Sequence, residues 1–126
     1  MEQNKLEELV RVAQMMVASG KGILAADESL GTIEKRFQKI NLPTTEENRR
    51  AYREMLFTTP GIGKYISGVI MFDETIRHRT KIGVSFVDIL KSAGVLPGIK
   101  VDGGTMEMPS SSAEKISKGL DGLPAR

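Results

Sequence analysis

Cysteine is absent from this sequence, and histidine occurs once, at position 78. The first absence excludes a disulfide framework and a thiolate metal site. The second excludes a metal centre built from several imidazoles, and His78 itself, between Arg77 and Arg79, reads as a solvated loop residue. No apolar run approaches the ~20 residues needed to span a bilayer. The opening residues Met1-Glu2-Gln3-Asn4-Lys5 lead into a charged helix instead of the apolar core of a secretion signal. The cytoplasm is therefore the expected compartment, with no membrane partner. Charge of one sign is lacking too: 18 Lys and Arg stand against 16 Asp and Glu, interspersed along the chain, for a net charge of +2. Without a basic tract, nucleic acid is not an implied partner. No G-x-G-x-x-G follows the first apolar run, and the phosphate-loop pattern G-x-x-x-x-G-K-S/T occurs nowhere.

What is present is the composition of an ordinary globular chain, 40% hydrophobic and 27% charged over 126 residues, with one domain as the expectation. Leu6, Leu9, Val10, Ala13, Met16 and Val17 fall on one face of a helix expected over residues 3–18. That stripe reads as core packing, and glycine at positions 20 and 22 ends the helix. Ile23-Leu24-Ala25-Ala26 and Val69-Ile70-Met71-Phe72 are short continuous apolar runs, the habit of strands buried on both faces of a parallel sheet. They set strands near 22–27 and 66–73. A third strand is expected near 98–102. Helices are expected over about 31–40, from a capping box of Thr44 with Glu47 to about residue 57, and over 84–92. From Thr105 onward the chain is polar and Ser-rich, with no element assigned. Strands separated by helices imply an α/β fold with parallel pairing. A Rossmann-like half and the opening of a (β/α)8 barrel both fit this order.

Each expected strand carries charge near its C-terminal end, the edge where ligands bind in α/β folds. The residues are Asp27 and Glu28, then Asp73 and Glu74, then Lys100 and Asp102. Strand alternation puts Asp27 on the face of Ile23 and Ala25, and Glu28 on the face of Leu24 and Ala26. Lys100 would lie inside its strand between apolar neighbours, which is costly unless the ammonium is paired or used. An Asp and a Lys from neighbouring strands would hold each other charged across the mouth. For Asp27 and Glu28 a helix-capping role is the competing explanation.

These residues also carry a resemblance. Gly20-Lys21-Gly22-Ile23-Leu24-Ala25-Ala26-Asp27-Glu28-Ser29 resembles the first-strand motif of class I, Schiff-base-forming fructose-bisphosphate aldolases. Thr45-Glu46-Glu47-Asn48-Arg49-Arg50 is similar to the helix that follows it there. Gly68-Val69-Ile70-Met71-Phe72-Asp73-Glu74-Thr75 is similar to the second strand, and Gly98-Ile99-Lys100-Val101-Asp102 to the third. Gly119-Leu120-Asp121-Gly122-Leu123 resembles the segment before the next helix. Five motifs in order make the resemblance specific. Gly103 departs from it, standing where many relatives carry a larger side chain, and residues 105–118 match loosely.

The resemblance implies the N-terminal part, about three β/α units, of a (β/α)8 TIM barrel. It implies reversible cleavage of fructose 1,6-bisphosphate to glycerone phosphate and glyceraldehyde 3-phosphate, in glycolysis. The chemistry runs through an imine on a barrel lysine and needs no metal and no cofactor. Asp27 would match the aspartate near the imine lysine, and Lys100 the lysine that sets positive charge beside it. Arg36 would bind the sugar's 6-phosphate, with Ser29 and Thr32 lining the same loop. Lys35 lies next to that arginine, where a solvated helix charge is an equal reading. The full-length form would be a homo-oligomer. The imine lysine, the acid/base glutamate and the 1-phosphate site fall in the part of the family pattern beyond these 126 residues. Two expectations follow: a segment of a complete enzyme, or a truncated, catalytically inactive phosphate-binding or interaction module.

Overall fold

The computed structural model describes residues 2–125. Helix α1 (Glu2–Met16) leads to strand β1 (Gly22–Ala26), then helices α2 (Leu30–Gln38), α3 (Glu46–Phe57) and α4 (Ile62–Tyr65). Strand β2 (Ile66–Met71) follows, then a 3-10 turn (Thr75–Arg77), helix α5 (Phe86–Ser92) and strand β3 (Leu96–Ile99). Strands β4 (Thr105–Met108) and β5 (Ser111–Ser117) and a second 3-10 turn (Leu123–Ala125) complete the chain.

Three strands form a parallel sheet in the order β1-β2-β3. The register sets Ala26 opposite Met71 and Met71 opposite Ile99. One face of this sheet is covered. Ala26, Val69 and Met71 pack with Phe57 of α3, Phe86 and Leu90 of α5, and Ile62 and Val95 into a single core. The Phe57 and Phe86 rings meet edge to face, 5.3 Å between centroids, a favoured aromatic geometry. Helix α4 sits so close to the end of α5 that a Cβ on Gly63 would lie 1.9 Å from the Ala93 carbonyl oxygen. Only glycine fits there.

The other face is mostly open. Ile23 and Ala25 are exposed, so β1 is not buried on both faces as its apolar run suggests. The end of α1 covers part of this face: Val12 and Met16 line a cavity of about 250 Å³ with Ile23, Gly68, Ile70 and Gly98. The Ser67 hydroxyl donates to the Met16 carbonyl at 2.6 Å and pins that end to β2. The rest of the α1 stripe is not core packing. Leu6 and Leu9 are 62% and 67% exposed, because nothing among the described residues lies against them.

The structure corrects three further expectations. The third strand begins at Leu96 and ends at Ile99, so it lies mostly ahead of 98–102 and leaves Lys100 just outside. Helix α3 is capped by Thr45, whose hydroxyl accepts the Asn48 amide at 3.2 Å, while Glu47 turns to Arg50 instead of closing a box on Thr44. Residues 105–117 form an antiparallel hairpin, β4 with β5.

Candidate active site

The ladder ends in one row, Ala26, Met71 and Ile99, and the next residues on their strands are Asp27, Phe72 and Lys100. The Lys100 amide extends the ladder by one step, donating to the Met71 carbonyl at 2.9 Å. Asp27 and Lys100 therefore share the C-terminal edge, on strands that flank β2. They are not neighbours, and the expected ion pair between them does not form. Lys100 pairs instead with Asp102, two residues on. Lys100 is accordingly an edge residue with a local partner, not a lysine enclosed in a strand.

Asp27 is half-buried, and among the described residues no hydrogen bond or ion pair reaches its carboxylate. The capping alternative for it also lapses. Helix α2 is entered through Ser29, with φ −63° and ψ 164°, and Ser29 makes no side-chain cap bond. Its hydroxyl instead lies 3.1 Å from that of Thr32. Lys35 is exposed.

Glu28 faces the covered side and does the binding that sequence reasoning assigned to no one. Its side chain is 7% exposed and is ion-paired with Arg36 and Arg53. Arg53 is the buried partner. It donates to the Ala26 carbonyl at 2.9 Å, to the Glu28 carbonyl at 3.1 Å and to the Glu28 carboxylate at 2.9 Å. Burial pulls the Arg53 guanidinium below its usual value, and Glu28 opposes that loss. The signal for Arg53 was its place four residues before Phe57, on the apolar face of α3. A charge there must be paired. Arg36 is held by the same carboxylate, with the Tyr52 hydroxyl 3.4 Å away, yet it remains half exposed. Two guanidiniums share one carboxylate beside the Ser29–Thr32 turn.

The end of β2 has a matching clasp. Arg49 donates to both oxygens of Glu74 and to the Thr44 carbonyl. Its hydrogen bond holds the Glu74 carboxyl below the usual 4.5. His78 is buried rather than solvated, 9% exposed. Its Nε2 lies 3.3 Å from Glu46 and its ring stands edge-on to Phe86. Glu46, Glu74 and His78 bring one ligand atom each within 4.8 Å. Arg49 already answers the Glu74 charge, so this group makes a poor cation site.

A family model described as fructose-bisphosphate aldolase class-I matches residues 8–126. A probable fructose-bisphosphate aldolase class 1 of Xylella fastidiosa is 55% identical over 121 residues, which cover 96% of this chain and 36% of the relative. The cytosolic fructose-bisphosphate aldolase 4 of Arabidopsis thaliana is 57% identical over 119 residues, 94% of this chain and 30% of its own. Among solved structures, the fructose-bisphosphate aldolase of Plasmodium falciparum, in complex with TRAP and a small-molecule inhibitor, superposes with a TM-score of 0.88 at 52% identity. The match covers 95% of this chain and 35% of that one. The chain spans about a third of the length of these relatives. With parallel strands in barrel order and a family match over nearly its whole length, the chain belongs to the class-I fructose-bisphosphate aldolases and forms the N-terminal part of their (β/α)8 barrel.

Proposed function

We propose that this segment supplies one sector of the active site of a cytoplasmic fructose 1,6-bisphosphate aldolase. The reaction is reversible cleavage to glycerone phosphate and glyceraldehyde 3-phosphate. The observation that carries the reading is Asp27: a half-buried strand-end carboxylate with no cap role and, among the described residues, no partner. An unanswered anion is costly unless a ligand uses it. Asp27 would accept hydrogen bonds from substrate hydroxyls. Lys100 would set an ammonium beside the reacting carbon's oxygens and disfavour protonation of the imine-forming amine. Arg36 would take the 6-phosphate in its fork of donors, with Ser29 and Thr32 on the same turn and Lys35 adding charge nearby. Homo-oligomerisation of the complete enzyme belongs to the same reading.

The imine-forming lysine is not among these 126 residues, so the chain alone should bind phosphate at most. Borohydride reduction of the isolated chain with glycerone phosphate, read by intact mass, should leave its mass unchanged. A stoichiometric adduct at Lys100 would overturn the assignment of roles.

A further inference from the structure

Two residues beyond Lys100 stands Asp102, and its two oxygens face two different structures. Oδ1 is paired with the Lys100 ammonium, and Oδ2 accepts the Gly104 amide at 2.9 Å. Gly104 directly precedes β4. The base of the hairpin closes beside it, with the Gly103 amide on the Lys118 carbonyl at 2.7 Å and the Lys118 amide on the Gly104 carbonyl at 3.0 Å. That base is packed backbone against backbone. Gly119 has a φ of +88°, and a Cβ there would come within 2.5 Å of the Gly103 nitrogen. On its other side Asp102 reaches the sheet through Lys100, whose amide is fixed to Met71.

A lysine carries its charge on a flexible four-carbon stem. A charge that must act at one point needs a partner to remove that freedom. Asp102 is such a partner, and it is the one carboxylate paired with Lys100 among the described residues. Bonds from Lys100 and then from the Gly104 amide hold its carboxyl below the usual range, so it is an anion at neutral pH.

We propose that Asp102 is a positioning residue for Lys100: its carboxylate fixes the ammonium at the mouth of the sheet and ties it to the β4–β5 hairpin. This rests on the reading of Lys100 given above.

The test uses the complete enzyme and two independent readouts. Trace acetylation with acetic anhydride, followed by mass spectrometry, reads the freedom of each lysine amine. Asp102→Asn keeps an oxygen for Gly104 and removes the ionic partner. It should raise labelling at Lys100 about two- to fivefold, the range of a partly exposed ion pair, with Lys118 unchanged. Asp102→Glu should restore most of the protection. In turnover, Asp102→Asn should lower kcat about tenfold with little change in KM, because a misplaced charge is missed chiefly in the transition state. In a Lys100→Met background the same substitution should cost nothing further. An additive loss in that background would overturn the proposal by showing that Asp102 acts through the hairpin alone. Labelling at Lys100 that ignores Asp102→Asn would overturn it as well. If labelling responds while Lys100→Met leaves kcat intact, the reading of Lys100 has failed and the positioning role falls with it.

Discussion

Asp27 and Arg36 differ in what already surrounds them, and their substitutions should differ accordingly. Among the described residues the Asp27 carboxylate has no partner to lose. In the complete enzyme Asp27→Asn should therefore leave the fold intact by circular dichroism and lower kcat by about 100-fold or more, the scale of a lost polar catalytic group. An unchanged kcat would return Asp27 to a structural role. Arg36 is engaged with Glu28 before any ligand arrives. A phosphate must share or displace that carboxylate, which Arg53 would still satisfy. Arg36→Ala should raise KM for the bisphosphate about tenfold, near the lower end of a charge-assisted contact of roughly 1.5–3 kcal/mol. A substrate without the 6-phosphate should be little affected, and equal losses on both would remove Arg36 from the phosphate site. The role of Glu28 was not legible in the sequence, because a strand-end carboxylate reads equally as cap or ligand; for Arg53 the one signal was its place on the apolar face of α3. The burial of His78 was hidden in the sequence by its exposed neighbours Arg77 and Arg79, while in the fold its ring stands edge-on to Phe86 and its Nε2 meets Glu46.

Helix α3 acts as a clamp across the ends of two strands. Arg53 holds the loop after β1, Arg49 holds the loop after β2, and Arg50 reaches the Arg79 carbonyl at 3.1 Å. The Arg49–Glu74 clasp has a pH signature. Glu74 titrates lower in the folded protein than its ordinary 4.5. Its contribution is therefore present above that value and is lost as pH falls through the lowered folded one. In the complete enzyme, melting temperature below pH 4.5 should fall less steeply for Glu74→Gln than for the unsubstituted protein. Parallel slopes would mean that the clasp contributes nothing to stability. The sequence announced β1 and β2 through uninterrupted apolar runs. It misplaced β3, because Leu96-Pro97-Gly98-Ile99 carries two residues that weaken strands. The apolar pair Ile99 and Val101 around Lys100 looked more like a strand than the true one. Among the described residues β3 pairs with β2 alone, so no partner there asks Pro97 for an amide. The hairpin escaped notice because β4 and β5 are mostly exposed and offer no buried alternating face.

At the scale of the whole molecule, the β1-β2-β3 sheet has two edges that are unpaired among the described residues. Among the described residues no strand lies beside the outer edges of β1 and β3, Ile23 is 43% exposed, and the Leu6–Leu9 face of α1 is open to solvent. A closed barrel leaves no such edges, and open apolar ones template association. The isolated chain should therefore associate in sedimentation at low concentration and melt broadly. A compact monomer with a sharp cooperative transition would show that five strands and five helices suffice alone. The Arg53 clasp has a bearing on timing. The guanidinium lies 27 residues after the Ala26 carbonyl it satisfies, and the whole of α3 precedes β2 in the chain. A ribosome therefore delivers the helix that grips the end of β1 before it delivers the strand that lines β1's edge. At roughly 5–20 residues per second, Arg53 is synthesised within seconds of Ala26 and before any residue of β2.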